Sequence, residues 1–131
     1  MAYKGVEIRS CRRFHVLGAT VNYALKKRPF LKRKFHEEEC PVLDISRGGI
    51  RFVCDNLLKI NRKIFIELHF SDESEPLPLK GSVVWLSVYP GKSYRYQTGI
   101  QFAPFGERKG LNSAYALKKI VELEKRILPS D

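Results

Sequence analysis

Between Lys63 and Phe70 the chain alternates: Ile64, Ile66, Leu68 and Phe70 are apolar, Lys63, Glu67 and His69 stand between them, and Phe65 interrupts the polar face. A period of two marks a strand with one buried side. Further runs rich in Val, Ile, Tyr and Phe lie at 16–25, 42–46, 50–54, 79–88 and 94–102, and such residues favour strands. Turn chemistry separates them: Arg47-Gly48-Gly49, Asp55-Asn56, residues 71–78 and Pro90-Gly91-Lys92-Ser93. The pattern predicts an all-β fold, a small six-stranded antiparallel barrel, because closure removes exposed sheet edges. At the tight turn after Ser46, Gly48 and Gly49 are expected to admit a positive φ.

From Asn112 the period becomes helical. Ala114, Leu117, Ile120, Val121, Ile127 and Leu128 fall on one broad face, Asn112 or Ser113 can cap the start, Glu122 can pair with Arg126, and Pro129 ends the run. This C-terminal helix must bury its stripe across the end of its own barrel or against another copy of the chain. The first is preferred, because a single domain generally closes its own core first. At 131 residues and 44% hydrophobic, the chain is expected to be one domain, with the barrel and its N-terminal segment over 7–105 and the helix and tail over 106–131.

Charge narrows the partners. Twenty-four Lys and Arg against fourteen Asp and Glu give a formal +10, which favours anions: nucleotide, nucleic acid, anionic lipid or an acidic protein face. Cys11, Cys40 and Cys54 are odd in number and lack C-x-x-C spacing, so neither a disulfide framework nor a zinc knuckle is expected. The start has no apolar signal region, and no run approaches the roughly eighteen apolar residues of a spanning helix. A cytoplasmic location without membrane insertion is expected. No G-x-S-x-G elbow, phosphate loop or spaced catalytic set is present, so no enzyme activity is expected.

Two short elements carry the candidate chemistry. Arg9 and Arg13 lie four apart near the start, and Asp44-Ile45-Ser46-Arg47-Gly48-Gly49 lies between two apolar runs. A carboxylate suits the N–H donors of guanine's Watson–Crick edge, whereas arginine forks suit its O6 and N7 acceptors and phosphate oxygens. One guanine nucleotide can use both.

In this order the elements resemble those of the PilZ domain family, which carries an RxxxR segment before its first strand and a [D/N]xSxxG turn between two later strands. Arg9-Ser10-Cys11-Arg12-Arg13 and Asp44 to Gly49 supply the motifs, and residues 14–23, Val83-Val84-Trp85 and Gly99-Ile100-Gln101-Phe102 are similar to its first, fifth and sixth strands. The resemblance implies a receptor for the bacterial second messenger cyclic di-GMP, with Arg9, Arg13, Asp44 and Ser46 contacting the nucleotide and Gly49 permitting the turn. Arg12, Arg47 and Gly48 are further candidate ligand residues: Arg12 can add charge, and Arg47 and Gly48 occupy variable positions of the motif, where Arg47 could reach a phosphate or face water. A register beginning at Arg12 would place Val16 where the second arginine belongs. Ile8 precedes the first motif arginine, which favours one ligand molecule per chain. No cofactor is implied besides this ligand. The partner implied is a protein of a motility, pilus or exopolysaccharide system. Signalling is expected through ligand-induced ordering of the segment from Arg9 to Phe14, whose unneutralised charges oppose packing.

Other features have plainer readings. His36 and Cys40 have a spacing that two metal ligands on a helical turn could use, yet no second pair lies nearby, and a solvated acidic loop is expected with no metal. The basic cluster Lys26-Lys27-Arg28 and Lys32-Arg33-Lys34, with Phe30 and Phe35, could track a nucleic-acid backbone. A solvated hairpin tip is preferred. Trp85, Tyr94 and Tyr96 are expected in the core or barrel wall, with an interaction surface as the alternative, and Cys11 as an inert thiol. The alternatives to nucleotide binding are a protein-interaction module of the same fold and a barrel for single-stranded nucleic acid.

Overall fold

The computed structural model describes residues 12–25, 35–71, 75–91 and 93–128. Six strands, β1 (Thr20–Ala24), β2 (Glu37–Ile45), β3 (Gly49–Cys54), β4 (Lys63–His69), β5 (Leu77–Val88) and β6 (Tyr96–Phe102), precede one helix, α1 (Ala114–Ile127). The strands close in the order β1-β2-β3-β6-β5-β4, and every neighbouring pair is antiparallel. The expected barrel and C-terminal helix are therefore present. In β4, Ile64, Ile66 and Leu68 point inward, as the alternation requires, and Phe65 is half-buried.

Two strands start four or more residues from where the sequence places them. The first strand begins at Thr20 rather than Val16, because Leu17 and Gly18 form a turn in which Gly18 takes φ +79° and the Ala19 N–H donates to Val16 O. The second begins at Glu37, inside the segment expected as an acidic loop. Tertiary pairing overrides its composition: Tyr23 lies opposite Glu37, and Glu39, at φ +57°, has its N–H received by Asn22 Oδ1 at 2.8 Å. On this extended chain, His36 and Cys40 cannot share a helical turn. Three residues of strand β2 stand between them, and His36 Nδ1 accepts the Leu25 N–H.

Cys40 and Cys54 are fully buried. Burial pushes both thiols up, Cys54 to about 12 from 9.0. A thiol whose folded pKa is raised keeps its proton in the folded state after the unfolded chain has lost it. Its contribution to stability is thus present below pH 9 and declines as pH rises from 9 towards 12. The urea midpoint is expected to fall between pH 8 and pH 10.5, and at pH 8 a thiol reagent should leave the peptides containing Cys40 and Cys54 unlabelled until denaturant is added. Mass spectrometry of the labelled peptides checks this.

The helix starts where expected: Ser113 is the cap, its Oγ accepting the Ala116 N–H at 3.1 Å. Of the expected face, Ile120 is buried and Leu117, Ile127 and Leu128 pack against the core, but Ala114 is exposed, and Ala116, Leu123 and Glu124 are buried in addition. Ala116, Ile120 and Leu123 join the same apolar cluster as the barrel interior, so the stripe docks on its own barrel. Asn112 seats the helix. Its Oδ1 accepts the Lys80 N–H at 2.8 Å, and Nδ2 donates to Lys80 O and Ala103 O, both at 2.9 Å. Pro129 lies outside the described residues, and among those described no helix is long and apolar enough to cross a membrane.

Candidate functional site

The β2–β3 hairpin supplies the centre of the site. Ser46 is buried and organises the turn: its Oγ accepts the Gly48 and Gly49 N–H groups, each at 3.2 Å, and its N–H donates to Gly49 O at 2.8 Å. These bonds hold the reversal without left-handed backbone. Contrary to expectation, neither Gly48 nor Gly49 has a positive φ; among described glycines those values fall at Gly18 and Gly110. Both turn glycines are buried, and Gly48 O accepts the Phe102 N–H from β6 at 2.9 Å.

A register shift between Val42 and Asp44 inserts an extra residue into β2. Such a bulge re-aims the side chains that follow. Val42 and Ile45 point into the core while Leu43 and Asp44 both face outward, with Asp44 paired to Arg51 of β3. Asp44 then receives two guanidinium groups. Arg13 NH1 donates to Oδ1 at 2.9 Å, and Arg51 donates through Nε and NH2 to Oδ2 at 2.9 and 2.6 Å. These bonds raise the Arg51 pKa further.

Arg13 is held by backbone as well as by charge. Phe14 N–H donates to Ile45 O and Ile45 N–H to Phe14 O, both at 2.8 Å, and the Phe14 ring is buried. The expectation that the whole segment through Phe14 lacks protection is corrected here. Arg9 and Cys11 lie outside the described residues, as does the cluster from Lys26 to Lys34; Arg12 is exposed.

Arg51 continues the face across the sheet. Its register partner on β6 is Gly99, which also pairs with Trp85 of β5. Having no side chain, Gly99 lets the Arg51 guanidinium reach over the Trp85 ring, 5.8 Å from its centroid, a cation–π distance. A register shift between Val83 and Trp85 turns the indole outward, so it is 40% exposed rather than part of the core. Asp44, Arg51, Gly99 and Trp85 thus lie in a row across four adjacent strands, with Arg13 at one end.

Arg47 leaves the turn in another direction. It meets Glu124 of α1, with Nε donating to Oε1 at 2.8 Å and NH2 to Oε2 at 3.3 Å. Arginines 12, 13, 47 and 51 against two carboxylates make an anion-attracting surface beside an open aromatic plane. Sequence reading missed Arg51, Gly99, Trp85 and Glu124 as members. The alternation Ile50-Arg51-Phe52, folded back on Asp44 by the hairpin, was the available signal for Arg51.

A PilZ domain family model matches residues 7–113. The chain belongs to the PilZ family. That family comprises ligand-binding and regulatory modules, either cyclic di-GMP receptors or protein-interaction domains. Among solved structures, the Bacillus subtilis inhibitor of motility (MotI/DgrA) is similar with a TM-score of 0.62 and 17% identity, covering 92% of this chain and 51% of that one. The chain spans about half the length of that protein, and at this identity the likeness concerns the fold. No curated protein matches. Within the PilZ motifs the structure brings Arg13 onto Asp44, buries Ser46 and Gly49 in the turn, and directs Arg47 to α1.

Proposed function

We propose that this PilZ domain is a cyclic di-GMP receptor. The observation that carries the reading is the meeting of Arg13 and Arg51 on the one carboxylate of Asp44 at the motif turn. In the free chain Asp44 holds the two guanidinium groups in place and keeps their repulsion down. A bound nucleotide would exchange these partners: its phosphates and guanine acceptors take the arginines, and its guanine N–H donors take Asp44. Arg9 and Arg12 add positive charge from the same segment, and Trp85 offers a plane for base stacking. Ser46, Gly48 and Gly49 act by keeping the turn's shape.

Signalling follows from what ligand exchange changes. Because Phe14 is already fixed to Ile45, the proposed ordering does not extend to Phe14. The bound surface then favours or rejects a downstream protein through differential affinity. The cytoplasm is the proposed compartment, and a motility, pilus or exopolysaccharide component the proposed partner. The second reading, an interaction module without nucleotide, draws on exposed Val84, Trp85 and Val88 along β5.

Titration calorimetry with cyclic di-GMP, against GTP and cyclic GMP, separates the readings. Saturable heat with cyclic di-GMP alone is expected. A folded protein that gives none leaves the interaction-module reading.

A further inference from the structure

The helix α1 is fastened differently at its two ends. At the start, Ser113 caps the first turn and the Asn112 amide bonds to backbone groups of Lys80 and Ala103. Towards the other end a charge pair ties Glu124 to Arg47 of the motif turn. The Glu124 side chain is 8% exposed, whereas that of Arg47 is 35% exposed and accessible from solvent. A carboxylate this buried depends on its partner. Removing the guanidinium leaves an uncompensated charge inside, a strongly destabilising state. Glu124 can recover hydration only if the last turns of the helix lift from the barrel, where Leu123 is seated.

We infer that the Arg47–Glu124 pair is a latch between the ligand turn and α1: a phosphate bound at the turn competes with Glu124 for Arg47, and residues 121–127 loosen while the Asn112 end stays in place. This rests on the cyclic di-GMP reading and adds the output element to it. The two events are linked reciprocally, so the ligand opposes the latch to the same degree as the latch opposes the ligand. Removing the negative charge at 124 therefore releases α1 and strengthens ligand binding together. A purely structural ion pair would do only the first.

Hydrogen exchange of the full chain, with calorimetry on the same preparations, tests the latch. Without ligand, Arg47→Ala and Glu124→Gln should each speed amide exchange over 121–127 by about tenfold or more, with 114–117 and the barrel strands unchanged. In the parent, saturating cyclic di-GMP should accelerate exchange over the same residues. Glu124→Gln should bind the nucleotide about fivefold more tightly, within the usual range of coupling between sites. Unchanged exchange in both ligand-free variants overturns the latch whatever the ligand does. Binding heat in the parent with unaltered or slowed exchange over 121–127 overturns it too, as does weaker binding by Glu124→Gln. Absence of heat in the parent, with both variants loosening α1 as expected, counts against the nucleotide reading and removes the proposed trigger with it.

Discussion

A chain carrying Arg13→Ala and Arg51→Ala together should bind cyclic di-GMP roughly 100-fold or more weakly than the parent and still fold. Each hydrogen bond between a guanidinium and an anionic or guanine acceptor is worth about 1.5–3 kcal/mol, and every 1.4 kcal/mol or so is tenfold in affinity. Part of that gain is offset in the free chain, where both arginines must first leave Asp44, so the lower end of the range applies. The barrel should survive, because both side chains lie on its outer face and are more than a third exposed. Arg95→Ala is the matched control. It removes an exposed cation just before the β6 start, six residues from Gln101, the partner of Gly49 in the turn, and should leave affinity unchanged. Affinity within threefold of the parent for the double variant would place the ligand elsewhere. Loss of binding on replacing Lys32, Arg33 and Lys34 instead would favour the nucleic-acid reading.

Asn112→Ala should cost about 2–4 kcal/mol of stability. The side chain makes three bonds, all to main-chain groups of Lys80 and Ala103, and is buried. Alanine would orphan one N–H and two carbonyls, each costing about 1–3 kcal/mol where water cannot replace the bond. Asn112→Asp separates the parts: it keeps the acceptor for Lys80 N–H but sets a carboxylate against two carbonyl oxygens, so it should be at least as destabilising as alanine. Urea unfolding of the three proteins checks both. A loss below about 1 kcal/mol for alanine would mean that water satisfies the seat of α1 and that the helix is held by its apolar face and the Arg47–Glu124 pair.

The barrel was legible because its evidence is local. Alternation over Ile64, Ile66 and Leu68, and the turn residues between runs, depend only on neighbours in the chain, and the motif turn joins two paired strands as expected. What escaped depends on register. Glu37 to Pro41 looks like a loop by composition, yet β1 pairs it into a strand through Tyr23 and Asn22. Two single-residue bulges turned Asp44 and Trp85 outward, and a strict period of two cannot show where such an insertion falls. Arg51 and Glu124 are ordinary surface charges in the linear pattern. They became site residues only once the hairpin carried Arg51 to Asp44 and the docked helix brought Glu124 to Arg47. Reading the turn glycines as left-handed failed for a different reason: the Ser46 hydroxyl already satisfies the amides that shape the turn.

Trp85 is the chain's single tryptophan, and its half-open ring beside Arg51 makes it a reporter at the proposed site. Titrating cyclic di-GMP while exciting the indole tests the central claim most directly. A saturable change in emission is expected, as a guanine or the displaced Arg51 alters the ring's surroundings, with a midpoint matching calorimetry and no change with equal GTP. Calorimetric binding that leaves Trp85 emission untouched, or no binding at all by either method, would contradict a nucleotide site on the Arg13–Asp44–Arg51–Trp85 face.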